Sequence, residues 1–284
     1  MDEDGFLSAS RVAIWGLGLM GGSLALALHG KCRAVLGIDA DPATVDLARS
    51  QQIVDAADTR PSALLPDADV IILATPVRTI LRLLGDLPQL HPGPAVVIDL
   101  GSTKRAVLAA MERLPARFDP LGGHPMCGKE KASLRYAEAA IYEGAPFALA
   151  ALARSSARAR ALGEELARAV GACPLWIEAG QHDRWVAATS HTPYLVASAL
   201  AQATPTETAP LVGPGFRSTS RLAGSSPEMM VDILATNAEH IRAALGAVRA
   251  RIERMEGLLA AGEFEQLADT LEAGRQQYQR LVGK

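Results

Sequence analysis

The residues "RVAIW" (11–15) run directly into "GLGLMGG" and then into the helix-forming "SLALALHG". No other stretch restricts the fold as strongly. Gly16-x-Gly18-x-x-Gly21, placed after a strand and opening a helix, is the pattern of a dinucleotide-binding turn, and that context is what makes it informative. Gly16 permits the tight turn, Gly18 lets main chain approach a pyrophosphate, and Gly21 lets helix and strand pack closely. Leu17 and Met20 are expected at the cofactor with them. The phosphates would meet N–H groups at the positive end of a helix.

A second strand, "AVLGID" (34–39), ends in Asp39, 18 residues after Gly21. A carboxylate there can accept from both ribose hydroxyls, and it would repel a 2′-phosphate. No arginine follows in "DADPA", so NAD is favoured over NADP. Strands at "ADVIILATP" (68–76), "AVVIDLGS" (95–102), "APFALAAL" (145–152) and "CPLWIE" (173–178) alternate with helical stretches. Continuously apolar strands separated by helices imply a mostly parallel sheet covered on both faces. Thr75 and Pro76, at the end of one strand, fall where the ligand crevice of such a sheet opens. Beyond residue 178 the strand signals stop. The reading is an α/β fold: a Rossmann-type, doubly wound, mostly parallel sheet over 1–178, followed by an all-α domain over 179–284.

Composition narrows the rest. A net charge of −3 leaves no basic surplus for a nucleic-acid backbone. The acidic "MDEDGFLSAS" lacks the features of a secretory signal, and no uncharged run reaches the ~18 residues of a membrane span. Cys32, Cys127 and Cys173 show neither pairing nor metal-ligand spacing, which fits reduced thiols in a cytoplasmic protein with no metal site.

Two further strand ends carry chemistry. "DLGSTK" (99–104) places Ser102 at the carboxyl edge of the sheet, where it could also cap the helix that follows. "PLGGHPMCGKEK" (120–131) holds His124 between a glycine pair and a proline, in a stretch that reads as a stiffened loop. In a doubly wound sheet both residues face the nicotinamide half of the crevice.

These motifs, with "ILATPV", "IYEGAPF", "HDRWVAATSH" and "FRSTSRLAGSSPEMMVDI", occur in an order and spacing that resembles the prephenate/arogenate dehydrogenase family of tyrosine biosynthesis, from about residue 11 to 240. The resemblance implies an NAD-dependent oxidative decarboxylation of prephenate to 4-hydroxyphenylpyruvate. Arogenate dehydrogenase and a dual-specificity cyclohexadienyl dehydrogenase are the alternatives within the family. His124 would take the proton of the C4 hydroxyl, Ser102 would orient that hydroxyl or the imidazole, and Arg221 would bind a carboxylate. With an ordinary histidine pKa near ~6.5, turnover would fall as pH drops through that value.

Departures from the family pattern cluster on the substrate side, at Tyr194, Met229-Met230 and Ser218. His191, Tyr194 and Met230 are the further substrate-binding candidates. On a straight helix His182 and His191 would lie on opposite faces, nine residues or about 900° apart. The stripe Ile241, Leu245, Val248, Ile252, Met255, Leu259 suits either a neighbouring helix or the seam of a homodimer, and the resemblance implies dimerisation through the helical half. With the fold starting by residue 11 and helices running to residue 284, the chain is expected to be monofunctional, with no room for the appended chorismate mutase or ligand-sensing domain that many relatives carry.

Two rival readings fit less well. The β-hydroxyacid dehydrogenases look similar at the N-terminus but use a lysine in the helical domain, where this chain has only Lys284. A non-catalytic nucleotide-binding regulator would not explain Ser102, His124 and Arg221 together.

Overall fold

A computed structural model describes residues 5–129 and 131–283. Glu130 of the "GGHPMCGKE" motif and Lys284 lie outside the described residues. By main-chain packing the chain divides into two compact units, one ending at Asn237 and one starting at Ala238.

The first unit opens with β1 (Arg11–Trp15), α1 (Leu19–Leu28), β2 (Ala34–Ile38), α2 (Pro42–Ser50) and β3 (Ala56–Asp58). It continues with β4 (Val70–Leu73), α3 (Val77–Leu90), β5 (Ala95–Asp99), α4 (Arg105–Met111) and β6 (Phe118–Pro125). β7 (Pro146–Ala151), α5 (Ala157–Ala169) and β8 (Cys173–Trp176) complete the sheet. Its strand order is β3-β2-β1-β4-β5-β6-β7-β8. Every neighbouring pair is parallel except β6 with β7. One core holds Leu24 and Leu28 of α1, Val45 of α2 and Leu166 of α5. The other holds Ile80, Leu83 and Leu87 of α3 with Val107 and Met111 of α4. Helices therefore bury apolar stripes on both faces, and β4 and β5, sandwiched between them, are buried along their whole length.

α6 (Ala179–Val186) passes through a π turn (Ala187–His191) into α7 (Thr192–Ala203), and α8 (Pro214–Ser220) and α9 (Pro227–Thr236) follow. The sequence reads as one long periodic run from 226 through 260, but it breaks at Asn237, whose φ of −135° is not helical. The second unit is the helix pair α10 (Ala238–Ala261) and α11 (Phe264–Val282), which pack on each other across a turn at Gly262 (φ +72°). Along α10, Leu245, Ile252 and Leu259 are exposed while Ile241 is buried.

Candidate active site

The loop after β1 has the geometry its glycines imply. Gly16 sits at φ +105°, where a side chain would be strained, and a Cβ there would also meet the Ala74 carbonyl at 2.7 Å. A Cβ on Gly21 would fall 1.8 Å from the Gly16 carbonyl oxygen, so helix and turn could not close. Open space faces Gly18, where the glycine pattern expects main chain to meet a ligand. No side chain caps the start of α1. Asp39 follows β2 and accepts from the Leu17 N–H at 2.7 Å and the Asp41 N–H at 3.0 Å, tying the two loops together. Leu17 has its side chain in the core and its N–H committed to Asp39, so it supports the loop from within. The Met20 carbonyl is held by the buried Tyr142 hydroxyl at 2.7 Å. Thr75 lies against Gly16, and its buried Oγ1 has no protein partner, while Pro76 starts α3. An open main-chain cradle, an uncapped helix start and a spare hydroxyl fit a dinucleotide pyrophosphate.

His124 departs from its expected setting. It is a strand residue, in β6, opposite Ala148 of β7. The glycines that argued for a loop serve close packing instead. A Cβ on Gly123 would lie 2.7 Å from the Asp99 carbonyl and 3.0 Å from Phe147. Under this strand the Lys104 ammonium is buried, bonded to the Asp99 carboxylate and, at 2.6 Å, to the Gly123 carbonyl. Burial pushes Lys104 down and Asp99 up, each opposed by the other's charge. Lys104 thus clamps β5 to β6, a role the sequence reading missed.

Ser102, partly buried in the turn after β5, does not cap α4. Asp183 of α6 does so from across the fold, accepting from the Lys104 N–H at 2.7 Å and the Arg105 N–H at 2.9 Å. Its Oδ1 also faces His182 Nδ1 at 2.8 Å, and His182 Nε2 faces His124 Nδ1 at 2.9 Å. The two imidazoles meet edge to face, centroids 5.1 Å apart. Asn237 donates to the Asp183 carbonyl at 2.7 Å and reaches His191 Nδ1 at 3.3 Å. Both His182 and His191 are buried. The straight-helix expectation fails because the π turn, with the Thr192 N–H bonded to the Ala187 carbonyl, takes up one extra residue. That reduces the angle between them from about 180° to roughly 80° and puts both on the inner side.

Burial holds His124 well below the usual imidazole value, and the neighbouring His182, Lys104 and His191 act in the same direction because a second charge beside them would be repelled. His191 is pushed down to about 4, chiefly by burial, with Asp183 opposing. The acid limb expected near ~6.5 is therefore displaced to lower pH. Asp183 lies below the usual carboxylate range: burial alone would raise it, and the His182, Lys104 and Arg105 donors more than reverse that.

Arg221 begins a short 3₁₀ turn that packs on α7, and it is exposed. Tyr194 is half-buried near the start of α7, and Met230 is buried in α9. His182, Asp183, Lys104, Asp99 and Asn237 are the site residues not picked out from sequence. The one available signal was "HDRW" directly after the last strand.

Fold and loop define a nucleotide-binding α/β protein of the Rossmann type. The chain belongs to the prephenate dehydrogenase family: residues 24–173 match its nucleotide-binding domain and residues 178–273 its dimerization domain. A prephenate dehydrogenase of Bacillus subtilis is 33% identical over 243 residues, covering 81% of this chain and 65% of that protein. The chain likewise spans 65% of the length of a Lactococcus lactis prephenate dehydrogenase, at 29% identity over 81% of its own length. Among solved structures, a prephenate dehydrogenase from A. aeolicus, in complex with hydroxyphenyl propionate and NAD+, superposes with a TM-score of 0.89 at 28% identity, over 97% of this chain and 99% of that one. An arogenate dehydrogenase from Synechocystis gives 0.82 at 27%, over 96% and 100%. A 3-hydroxyisobutyrate dehydrogenase at 16% identity and TM-score 0.58 shares the fold alone. Among the described residues no helix is long and apolar enough to cross a membrane, and no cluster of side chains could hold a metal ion.

Proposed function

We propose that this chain is an NAD-dependent prephenate dehydrogenase, with arogenate as the alternative substrate. One observation carries the reading: Asp39 after β2, Gly16 after β1, Thr75 after β4 and Ser102 after β5 share a single carboxyl edge with His124, near the end of β6. β6 is three strands from β1, roughly 14 Å at ~4.8 Å per strand, a span that suits a dinucleotide with its pyrophosphate at Gly16–Gly21 and its nicotinamide toward His124. The NAD+ in the A. aeolicus relative supports the same cofactor.

Residues 1–178 would hold the cofactor, and 179–284 would complete the substrate site and pair two copies into a cytoplasmic homodimer. NAD held at this edge would supply the hydride acceptor for C4 of the substrate. As that carbon becomes electron-poor, neutral His124 takes the C4 hydroxyl proton and Ser102 orients the hydroxyl or the ring. Arg221 forks onto a substrate carboxylate through two charge-assisted bonds. Because the departing carboxylate loses its charge as CO₂, a tight hold on it would favour the ground state, so Arg221 acts mainly in binding. His191, Tyr194 and Met230 shape the pocket for the substrate side chain. Asp39 selects NAD over NADP.

Parallel assays with prephenate and arogenate, each with NAD and NADP, test this through NADH absorbance. Turnover of prephenate with NAD is the expected result, and no NADH from either substrate would end the reading.

A further inference from the structure

We propose that the buried chain Asp183–His182–His124 sets the tautomer of His124, with its proton on Nδ1 and its lone pair on Nε2, and that the Asn237 contact gives His191 the opposite tautomer. The inference rests on the reading of His124 as the proton acceptor and adds two positioning residues to it.

The donor and acceptor sequence admits one solution for neutral rings. Asp183 takes two main-chain N–H groups at 2.7 and 2.9 Å, and a carboxylate bonded this way only accepts. His182 Nδ1, 2.8 Å from the same carboxylate, must therefore carry a hydrogen. A neutral imidazole protonated at Nδ1 has its lone pair on Nε2. That atom lies 2.9 Å from His124 Nδ1, so His124 donates through Nδ1 and keeps Nε2 as an acceptor. Around His191 the logic runs the other way. A carbonyl can only accept, so the Asn237 atom 2.7 Å from the Asp183 carbonyl is its amide nitrogen. Its second hydrogen points to His191 Nδ1 at 3.3 Å, which makes Nδ1 the acceptor and leaves the hydrogen on Nε2. Two neighbouring histidines are thus fixed as unlike tools: one receives a proton and the other offers a hydrogen bond.

The carboxylate does this while capping α4, so the ring's electronic state is tied to the fold itself. Asp183→Asn loosens the order. With the amide nitrogen in the place of Oδ1, the Lys104 N–H loses its acceptor, the amide donates to His182 Nδ1, His182 donates from Nε2, and His124 accepts at Nδ1 and holds its hydrogen on Nε2; with the amide oxygen there, the nitrogen instead faces the Arg105 N–H. A wrong tautomer of this kind in a serine-protease triad costs about 10⁴ in turnover.

Long-range ¹H–¹⁵N correlation spectra of the full-length protein, labelled at its six histidines and assigned by single substitutions, read the tautomers directly. His124 protonated on Nδ1 and His191 on Nε2 are expected; His124 protonated on Nε2 overturns the proposal. In kinetics, folded Asp183→Asn should lose about 10³-fold or more in kcat with KM changed only a few-fold. His182→Leu should also lose kcat, and His182→Gln, whose side-chain carbonyl can accept from His124, should recover most of that loss. A folded Asp183→Asn protein whose spectrum shows His124 protonated on Nε2, yet whose kcat stays within tenfold of the parent, would sink the idea. If Asp183→Asn does not fold, the spectra of the unaltered protein decide alone. Absence of NADH formation by the parent would remove the proposed reaction without touching the tautomer result.

Discussion

The turn after β1 and the histidine cluster beside β6 are built on opposite principles. The turn is a single segment, 11–28, held from outside by Asp39, Tyr142, Ala74 and Thr75, and it works through main-chain atoms. The cluster draws Lys104 from the start of α4, His124 from β6, His182 and Asp183 from α6, His191 from a π turn and Asn237 from a helix break. Apart from His124 and His191, its members are unremarkable residues until the fold brings them together. A site made of main chain needs particular glycines and can be read from spacing. One made of side chains needs only that distant segments converge.

The largest expected effect belongs to the cluster. His124→Asn should lower kcat by about 10² to 10⁴, the usual contribution of a positioned base, while nucleotide affinity in a fluorescence titration stays near the parent value. Equal losses in both would break the division between the regions. Arg221→Ala should raise KM by roughly 10- to 100-fold, as loss of a charged hydrogen-bond pair implies, with kcat within a few-fold. A kcat loss larger than the KM change would move Arg221 into the chemical step. On the loop side, Asp39→Ser should cut the preference for NAD over NADP by about tenfold or more, since a like charge facing the 2′-phosphate is removed. A parent enzyme that already prefers NADP would refute the role given to Asp39.

The smallest effect concerns acid stability. His191 titrates at about 4 when folded and near ~6.5 when unfolded, so the unfolded chain takes the proton first. The stabilisation is fully present above ~6.5 and is lost as pH falls toward 4, amounting to about 2 kcal/mol at pH 5 for this group. Burial of His124 acts in the same direction. Urea midpoints at pH 7.5 and pH 5 measure it, and His191→Gln should flatten the slope. An unchanged midpoint would show that the cluster opens to solvent.

Much of the architecture was legible because alternating apolar strands and amphipathic helices are local patterns. The cap of α2 is local: Asp41 accepts from the Ala43 and Thr44 N–H groups two and three residues on. The cap of α4 was not readable, because Asp183 arrives from 79 residues away to reach Lys104. Glycines at 122 and 123 suggested a loop for the same reason: their small size serves a contact with Asp99, Leu108 and Phe147 that spacing does not reveal. Lys104 seemed just one of five lysines until burial paired it with Asp99.

Sequence alone determined most of the alternation of strands and helices, the glycine turn after β1 and the carboxylate after β2, since period, glycine spacing and charge act over a few neighbouring residues. The tertiary structure decided that His124 lies in a strand, that a π turn brings His191 round toward the side of His182, and which ring nitrogen faces which partner. Those outcomes depend on directions and distances between segments far apart in the chain. A few tenths of an ångström or one inserted helical residue changes them, and no local pattern of residue types records that.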